Sequence, residues 1–194
     1  MEDIFNCRVS VILVTYHHND GALDRITAIR ESFEHYTITV LDNSSEEYKA
    51  RGRLRARLHE VDPTIRYVDH AKNCRFTAYN EGLAALESEF TIFRTDDDVF
   101  YEGNTWKLLE NGFFQDFVTT SYIYNGNHQQ GESFRRPIES IIVKSHVLHS
   151  LLPFEQKAGS DWMLMEKLFQ RFTWTHYPTI LLNKRAHGRE VVKL

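Results

Sequence analysis

Phe90-Thr91-Ile92-Phe93-Arg94-Thr95-Asp96-Asp97-Asp98-Val99 decides how this chain is read. The first half is short and apolar, which predicts a buried β-strand. The second half sets three consecutive carboxylates at the end of that strand. Packed this close they repel one another, and burial without partners drives carboxylates to protonate. A divalent cation removes both problems. Hard ions such as Mg²⁺ and Mn²⁺ take oxygen ligands and share their shell with substrate phosphates. The run therefore points to a metal–phosphate site at a strand terminus, against the plainer alternative of a solvated acidic turn.

Upstream, three further strands are expected. Arg8 to Thr15 is apolar and β-branched, Thr37 to Leu41 ends at Asp42-Asn43-Ser44-Ser45, and Ile65 to Val68 follows the turn Asp62-Pro63. Helices are expected between them. One is capped by Asp20 and runs to about Glu34 with Leu23, Ile26, Ile29 and Phe33 on one face. One is a charged helix capped by Ser44 or Ser45 and running through Arg51 to Leu58. One spans Asn73 to Leu86. This β-α-β-α-β-α-β order with short connections predicts a mostly parallel central sheet flanked by helices. In such sheets ligands bind beyond the carboxyl ends of the strands. Thr15-Tyr16, Asp42-Asn43 and Asp96-Asp97-Asp98 all fall at such ends.

Downstream, Asn104 to Phe114 is expected to be helical, and Asp116 to Tyr124 and Ile138 to Val143 to be strands. The polar, glycine-punctuated stretch Asn125 to Ser133 between them is expected to be a mobile loop able to close over a ligand. A helix from Ser160 or Asp161 to Phe169 and strand-like segments around Pro178 complete the pattern, before the basic tail Lys184 to Arg189.

The chain has 194 residues, with 42% hydrophobic and 26% charged residues. That balance suits one globular domain. A net charge of -4 argues against bulk binding to nucleic acid. No apolar run is long enough to cross a bilayer, and the acidic start Met1-Glu2-Asp3 is unlike a secretory signal. Two cysteines, Cys7 and Cys74, are expected to be free thiols in a cytoplasmic protein. There is no Gly-x-Gly-x-x-Gly and no Gly-x-x-x-x-Gly-Lys after the first strand. A phosphate ligand would then be held mainly through metal.

Four segments taken together carry a resemblance. They are Val9-Ser10-Val11-Ile12-Leu13-Val14-Thr15-Tyr16, Val40-Leu41-Asp42-Asn43-Ser44-Ser45, Asn73 with Ala78-Tyr79-Asn80-Glu81-Gly82, and Phe93-Arg94-Thr95-Asp96-Asp97-Asp98-Val99. In order and spacing they resemble the inverting glycosyltransferases of family 2, over roughly the first half of the chain. Gly159-Ser160-Asp161-Trp162 resembles that family's acidic pair at the head of the helix bearing the catalytic base.

The resemblance implies a single α/β domain of the GT-A fold over residues 1–194, with a nucleotide-sugar half at 1–100 and an acceptor half at 101–194. It implies that Thr15, Tyr16 and Asp42 line the base pocket, and that Asn73, Arg75 and Asp97 contribute to the donor site. Asp96 would contact the ribose or lie near the metal, Asp98 would bind the metal, and His187 would complete its shell. Asp161 would be the general base. The implied cofactor is Mn²⁺ or Mg²⁺. The implied donor is a nucleotide-diphosphate sugar, UDP before GDP or dTDP, and the acceptor a glycan or glycoconjugate hydroxyl.

The chain departs from the family pattern in places. Ser160 stands where the first acid is usual, Arg75 where a glycine is common, and Asn73 and Asn80 are one residue closer than usual. The Gln-x-x-Arg-Trp signature of processive synthases is absent, which implies single-sugar transfer. The chain is short for the family, so acceptor recognition is expected to draw on the polar loop, another subunit or a domain beyond this piece. The rival readings are a nucleotidyltransferase, a glycoside hydrolase and a non-catalytic sugar-nucleotide-binding module.

Overall fold

A computed structural model describes residues 8–70, 74–84, 88–130, 133–154 and 160–185. In chain order the elements are β1 (Val9–Thr15), α1 (Asn19–Ser32), β2 (Tyr36–Asp42), α2 (Glu46–Gly52), α3 (Leu54–Val61), β3 (Arg66–Asp69), α4 (Arg75–Leu83), β4 (Phe90–Thr95), β5 (Val99–Phe100), α5 (Glu102–Asn111), β6 (Phe117–Tyr124), β7 (Asn127–Gln129), β8 (Ile141–Lys144), α6 (Ser145–His149), α7 (Ser160–Arg171) and β9 (Trp174–Lys184). A 3-10 turn at Ile138–Ser140 leads into β8.

The strands form one sheet in the order β3-β2-β1-β4-β8-β6-β9-β5, with β7 paired to β6. The expected parallel unit is its first half, β3-β2-β1-β4. Period-two alternation sends Val9, Val11 and Leu13 of β1 to one apolar cluster, with Ile26 and Ile29 of α1, Leu54 and Leu58 of α3 and Leu109 of α5. Ile12 and Val14 go to the other, with Ala78, Tyr79 and Leu83 of α4 and Leu164, Met165 and Leu168 of α7. Helices on both faces explain why these strands read as continuous apolar runs. The register places Thr15 opposite Asp42 and Asp42 opposite Asp69, with Val14 opposite Thr95. The residues after β1, β2 and β4 therefore share one edge.

Beyond β4 the sheet becomes mixed. β8 is antiparallel to β4, β6 is antiparallel to β8, β9 runs parallel to β6, and β5 is antiparallel to β9. The β6–β9 register slips between Thr120 and Tyr122, opposite Pro178, where a proline cannot donate to the ladder. β9 matters most for the site. Asn183 lies opposite Val99, so the residue after it returns to the acidic run.

Four expectations are corrected. Asp20 does not cap α1: His18 holds the N-cap position without a side-chain bond, and Asp20, within the first turn, pairs with Arg57 of α3 at 2.7 Å. A carboxylate in a first turn is already favoured by the helix dipole. The single charged helix from Ser45 to Leu58 is two helices, broken at Arg53 with φ 47 and ψ 34. The break lets α3 bury Leu54 and Leu58 while α2 buries nothing. The strand expected from Ile138 starts at Ile141, after the 3-10 turn. The loop expected over Asn125 to Ser133 contains β7, hairpinned onto β6 from Tyr122↔Gln129 to Tyr124↔Asn127. Its turn is Asn125-Gly126, at φ 48 and 79. Two successive positive φ values match the right-handed twist of a tight hairpin, and Asn-Gly supplies them.

Candidate active site

The acidic run is held by the ends of the neighbouring strands. Thr15 Oγ1 and the Tyr16 N–H both donate to Asp96 Oδ2, at 2.7 and 2.9 Å. Asp98 is 2% exposed. Its Oδ2 accepts from Thr95 Oγ1 and from Lys184 Nζ, both at 2.9 Å, and its Oδ1 from the Arg185 N–H at 3.0 Å. Burial opposes ionisation of this carboxyl, but Lys184, Arg185 and Thr95 outweigh it and hold its pKa below the usual carboxylate value. Asp97 is half-buried. Behind the run, Arg25 donates to the Asp98 carbonyl at 2.6 Å. Arg94 and Arg25 both lie over Phe100, at 4.5 and 4.7 Å. Arg94 is fixed by buried Glu102 with bonds of 2.8 to 3.2 Å. Gly21 lets α1 approach so closely that a Cβ there would fall 2.2 Å from the Asp96 carbonyl oxygen.

Asp42 is fully buried. Oδ1 accepts from the Ser44 N–H at 3.0 Å, closing its own turn, and Oδ2 from the Tyr67 hydroxyl at 2.8 Å. Burial, then Asp42, pushes the Tyr67 phenol pKa up. Beside this corner Tyr16 stacks on His17 at 4.2 Å, and His17 leans on Tyr48 at 4.6 Å. His17 Nε2 accepts from the Ser45 N–H at 3.0 Å, and its backbone sits at φ 54. His17, Ser45, Glu47, Tyr48 and Arg51 line an open pocket of about 220 Å³. Thr15, Tyr16 and Asp42 thus come to one corner of the sheet edge.

Asp161 lies in the first turn of α7, where the Trp162 N–H donates to its Oδ1 at 3.0 Å. Arg75, from the start of α4, donates to its Oδ2 at 2.6 Å. The same guanidinium lies 3.7 Å from Glu139 Oε1, and Lys184 Nζ lies 3.5 Å from Glu139 Oε2. A chain of alternating charge therefore runs Asp98–Lys184–Glu139–Arg75–Asp161. Burial lowers the pKa of each cation, but their carboxylate partners, Glu139 foremost, outweigh it and raise both. Glu139 is 1% exposed and was missed from sequence. The available signal was one acid set in the apolar run from Ile138 to Val143. Among the described residues, neither Glu139 Oε1 nor the buried Tyr79 hydroxyl has a hydrogen-bond partner.

Asn73 and His187 lie outside the described residues. Among the described residues no group of three or more His, Cys, Asp or Glu side chains surrounds one point. Asp96 and Asp98 do offer hard carboxylate oxygens at the strand edge. One or two carboxylates completed by substrate phosphates is the usual protein contribution to Mg²⁺ or Mn²⁺. The donor set fits such a shared site and not a closed protein cage. Among the described residues no helix is long and apolar enough to cross a membrane.

Solved structures share this architecture. S. aureus TarS 1–349 in complex with UDP-GlcNAc is 15% identical, with a TM-score of 0.74 over 94% of this chain and 60% of that one. The complex of TarS 1–349 with UDP is 14% identical, with a TM-score of 0.74 over 92% and 60%. The mannosyltransferase PcManGT from Pyrobaculum calidifontis, in complex with GDP-Man and Mn²⁺, is 15% identical, with a TM-score of 0.71 over 96% and 59%. The chain thus spans about 60% of the TarS 1–349 chain. No curated protein matches it. The fold is the mixed α/β fold of GT-A glycosyltransferases. The sequence model of glycosyl transferase family 2 matches residues 10–163, most of the chain, and the chain belongs to that family.

Proposed function

We propose that this chain is the catalytic domain of an inverting, non-processive glycosyltransferase. It moves one sugar from a nucleotide-diphosphate sugar, preferably UDP-linked, to a hydroxyl of a glycan or glycoconjugate. The observation that carries this is the charged chain from Asp98 to Asp161, which spans the parallel strand edge and the head of α7. In this reading Asp98 on the donor side and Asp161 as the proton acceptor are linked through Lys184, Glu139 and Arg75. The neighbours' bound UDP, UDP-GlcNAc and GDP-Man support a nucleotide-sugar donor. UDP is preferred on the TarS complexes.

Thr15, Tyr16 and Asp42 line the base pocket in this proposal, with Tyr16 and its stacked partner His17 as its aromatic wall. Asn73 and Asp97 belong to the donor site. Asp98 and Asp96, with His187, hold Mn²⁺ or Mg²⁺, as the Mn²⁺ in PcManGT suggests. When bound, that ion would neutralise charge on the leaving diphosphate. Arg75 orients Asp161 through its hydrogen bond to Oδ2. Asp161 takes the proton of the acceptor hydroxyl as its oxygen attacks the anomeric carbon opposite the diphosphate. The carbon–oxygen bond to the diphosphate breaks, and one displacement inverts the centre. Residues 1–100 form the donor half and 101–194 the acceptor half. The free thiol Cys74 suits a reducing cytoplasm.

The test is a panel of nucleotide sugars incubated with and without acceptor glycans, with Mn²⁺, with Mg²⁺ and with EDTA. UDP-sugar turnover should need metal and should collapse in Asp98→Ala, and the product linkage should be inverted by NMR. Undiminished turnover by Asp98→Ala in EDTA would remove the metal assignment. No turnover or binding of any nucleotide sugar would remove the function.

A further inference from the structure

Lys184 reaches the acidic run because β9 pairs with β5, one residue before it, at Asn183↔Val99. Its ammonium is hydrogen-bonded to Asp98 Oδ2 at 2.9 Å and sits 3.5 Å from Glu139 Oε2. The two carboxylates are almost fully buried, at 2% and 1% exposure. Lysine is a compact charge on a flexible stem with three donors, so a small rotation trades one carboxylate for the other. The Glu139 side has room for a stronger bond. Its Oε1 has no hydrogen-bond partner among the described residues, and Arg75 stands 3.7 Å away, at ion-pair rather than hydrogen-bond distance.

A divalent ion arriving at Asp98 meets this ammonium as a like charge in a partly buried place, where repulsion is weakly screened. We propose that Lys184 is a resident counter-ion of Asp98 that shifts onto Glu139 when a divalent cation binds, and that Glu139 is the positioning residue for that exchange. This rests on the metal-assisted donor binding proposed above. The exchange accounts for a buried glutamate between two cations that touch the two ends of the site. Without it, Lys184 would stay on Asp98 as a like charge beside the metal in a buried setting, which is costly. Burial, outweighed by Glu139 and Asp98, leaves the Lys184 pKa above the ordinary lysine value.

The test is calorimetric titration of MnCl₂ into the full chain at pH 7, first without and then with UDP. The proteins are wild type, Lys184→Met, Lys184→Gln, Glu139→Gln and the double variant Glu139→Gln/Lys184→Met. Thermal melts report whether each is folded, and Lys184→Gln keeps a donor for Asp98 if Lys184→Met does not fold. Removing the ammonium should tighten Mn²⁺ binding about tenfold or more, from loss of a like charge at contact range. Glu139→Gln should weaken it by a similar factor, since the ammonium then stays on Asp98. In the Lys184→Met background, Glu139→Gln should change it less than about threefold, because the coupled partner is gone.

Mn²⁺ affinity unchanged in both Lys184 variants overturns the exchange. So does a Glu139→Gln effect that persists in full in the double variant. If that happens while wild type still needs Mn²⁺ for turnover, the exchange alone is wrong. If neither wild type nor any variant binds Mn²⁺, both the exchange and the metal assignment fall. Mn²⁺ binding by the Lys184 variants alone supports the resident ammonium and rejects the native metal requirement.

Discussion

Replacing Asp161 by Asn removes one proton acceptor and changes almost nothing else. The amide keeps its size, and its oxygen can still accept from the Trp162 N–H that now bonds Oδ1 at 3.0 Å. The Arg75 ion pair, 2.6 Å long, is lost, but its side chains are 35% and 17% exposed. Solvent screening discounts such a pair to about 1 kcal/mol, and Arg75 retains Glu139 at 3.7 Å. For a domain of this size that lowers Tm by about 2–4 °C. Catalysis should fall far more. General-base loss costs about 100-fold or more, equal to ~2.7 kcal/mol or more of barrier. The assay is transfer from the preferred UDP-sugar at saturating Mn²⁺, beside UDP affinity by calorimetry and Tm by scanning fluorimetry. The expected result is lower kcat with UDP affinity held within about threefold, the pattern of an interaction made only in the transition state. A kcat within about tenfold of wild type, with UDP affinity intact, would refute Asp161 as the base.

Other predictions bear on the frame around the site. Arg94→Met breaks a buried pair with Glu102, side chains 1% and 3% exposed. Because Arg25 remains 3.7 Å from Glu102, the expected loss is about 3 kcal/mol, the low end for such pairs, read from the urea midpoint. A midpoint shift of less than about 1 kcal/mol would show that the pair contributes little. Gly21→Ala forces a methyl against the Asp96 carbonyl. It should cost about 1–3 kcal/mol by overpacking and weaken UDP binding, and unchanged affinity would mean that the contact yields easily. Asp116 is held below its ordinary 3.8 by backbone and side-chain hydrogen bonds from Thr173. A depressed carboxyl contributes stability above its unfolded pKa and loses it as pH falls through the folded value. Asp116→Asn should therefore be less stable than wild type at neutral pH, and the gap should close in acid below 3.8. A gap that stays constant in urea melts across that range would assign the effect to geometry rather than charge.

The first half of the molecule was legible in the sequence because its information is local. Short apolar runs separated by amphipathic helices imply parallel strands, and the strand ends name Thr15, Asp42 and Asp96 to Asp98 without any knowledge of packing. The Asn-Gly turn was equally local, yet its hairpin was hidden because Asn127–Gln129 is polar on both faces. What only the tertiary structure decided is which charges meet. Lys184 and Asp98 are 86 residues apart, as are Arg75 and Asp161, and Glu139 joins them from a third segment. Nothing in the local sequence around any of the five names its partners. A buried ion pair is set by where the chain crosses itself, here by β9 returning beside β5. Coulomb attraction acts on distance in space and leaves no period or spacing along the chain.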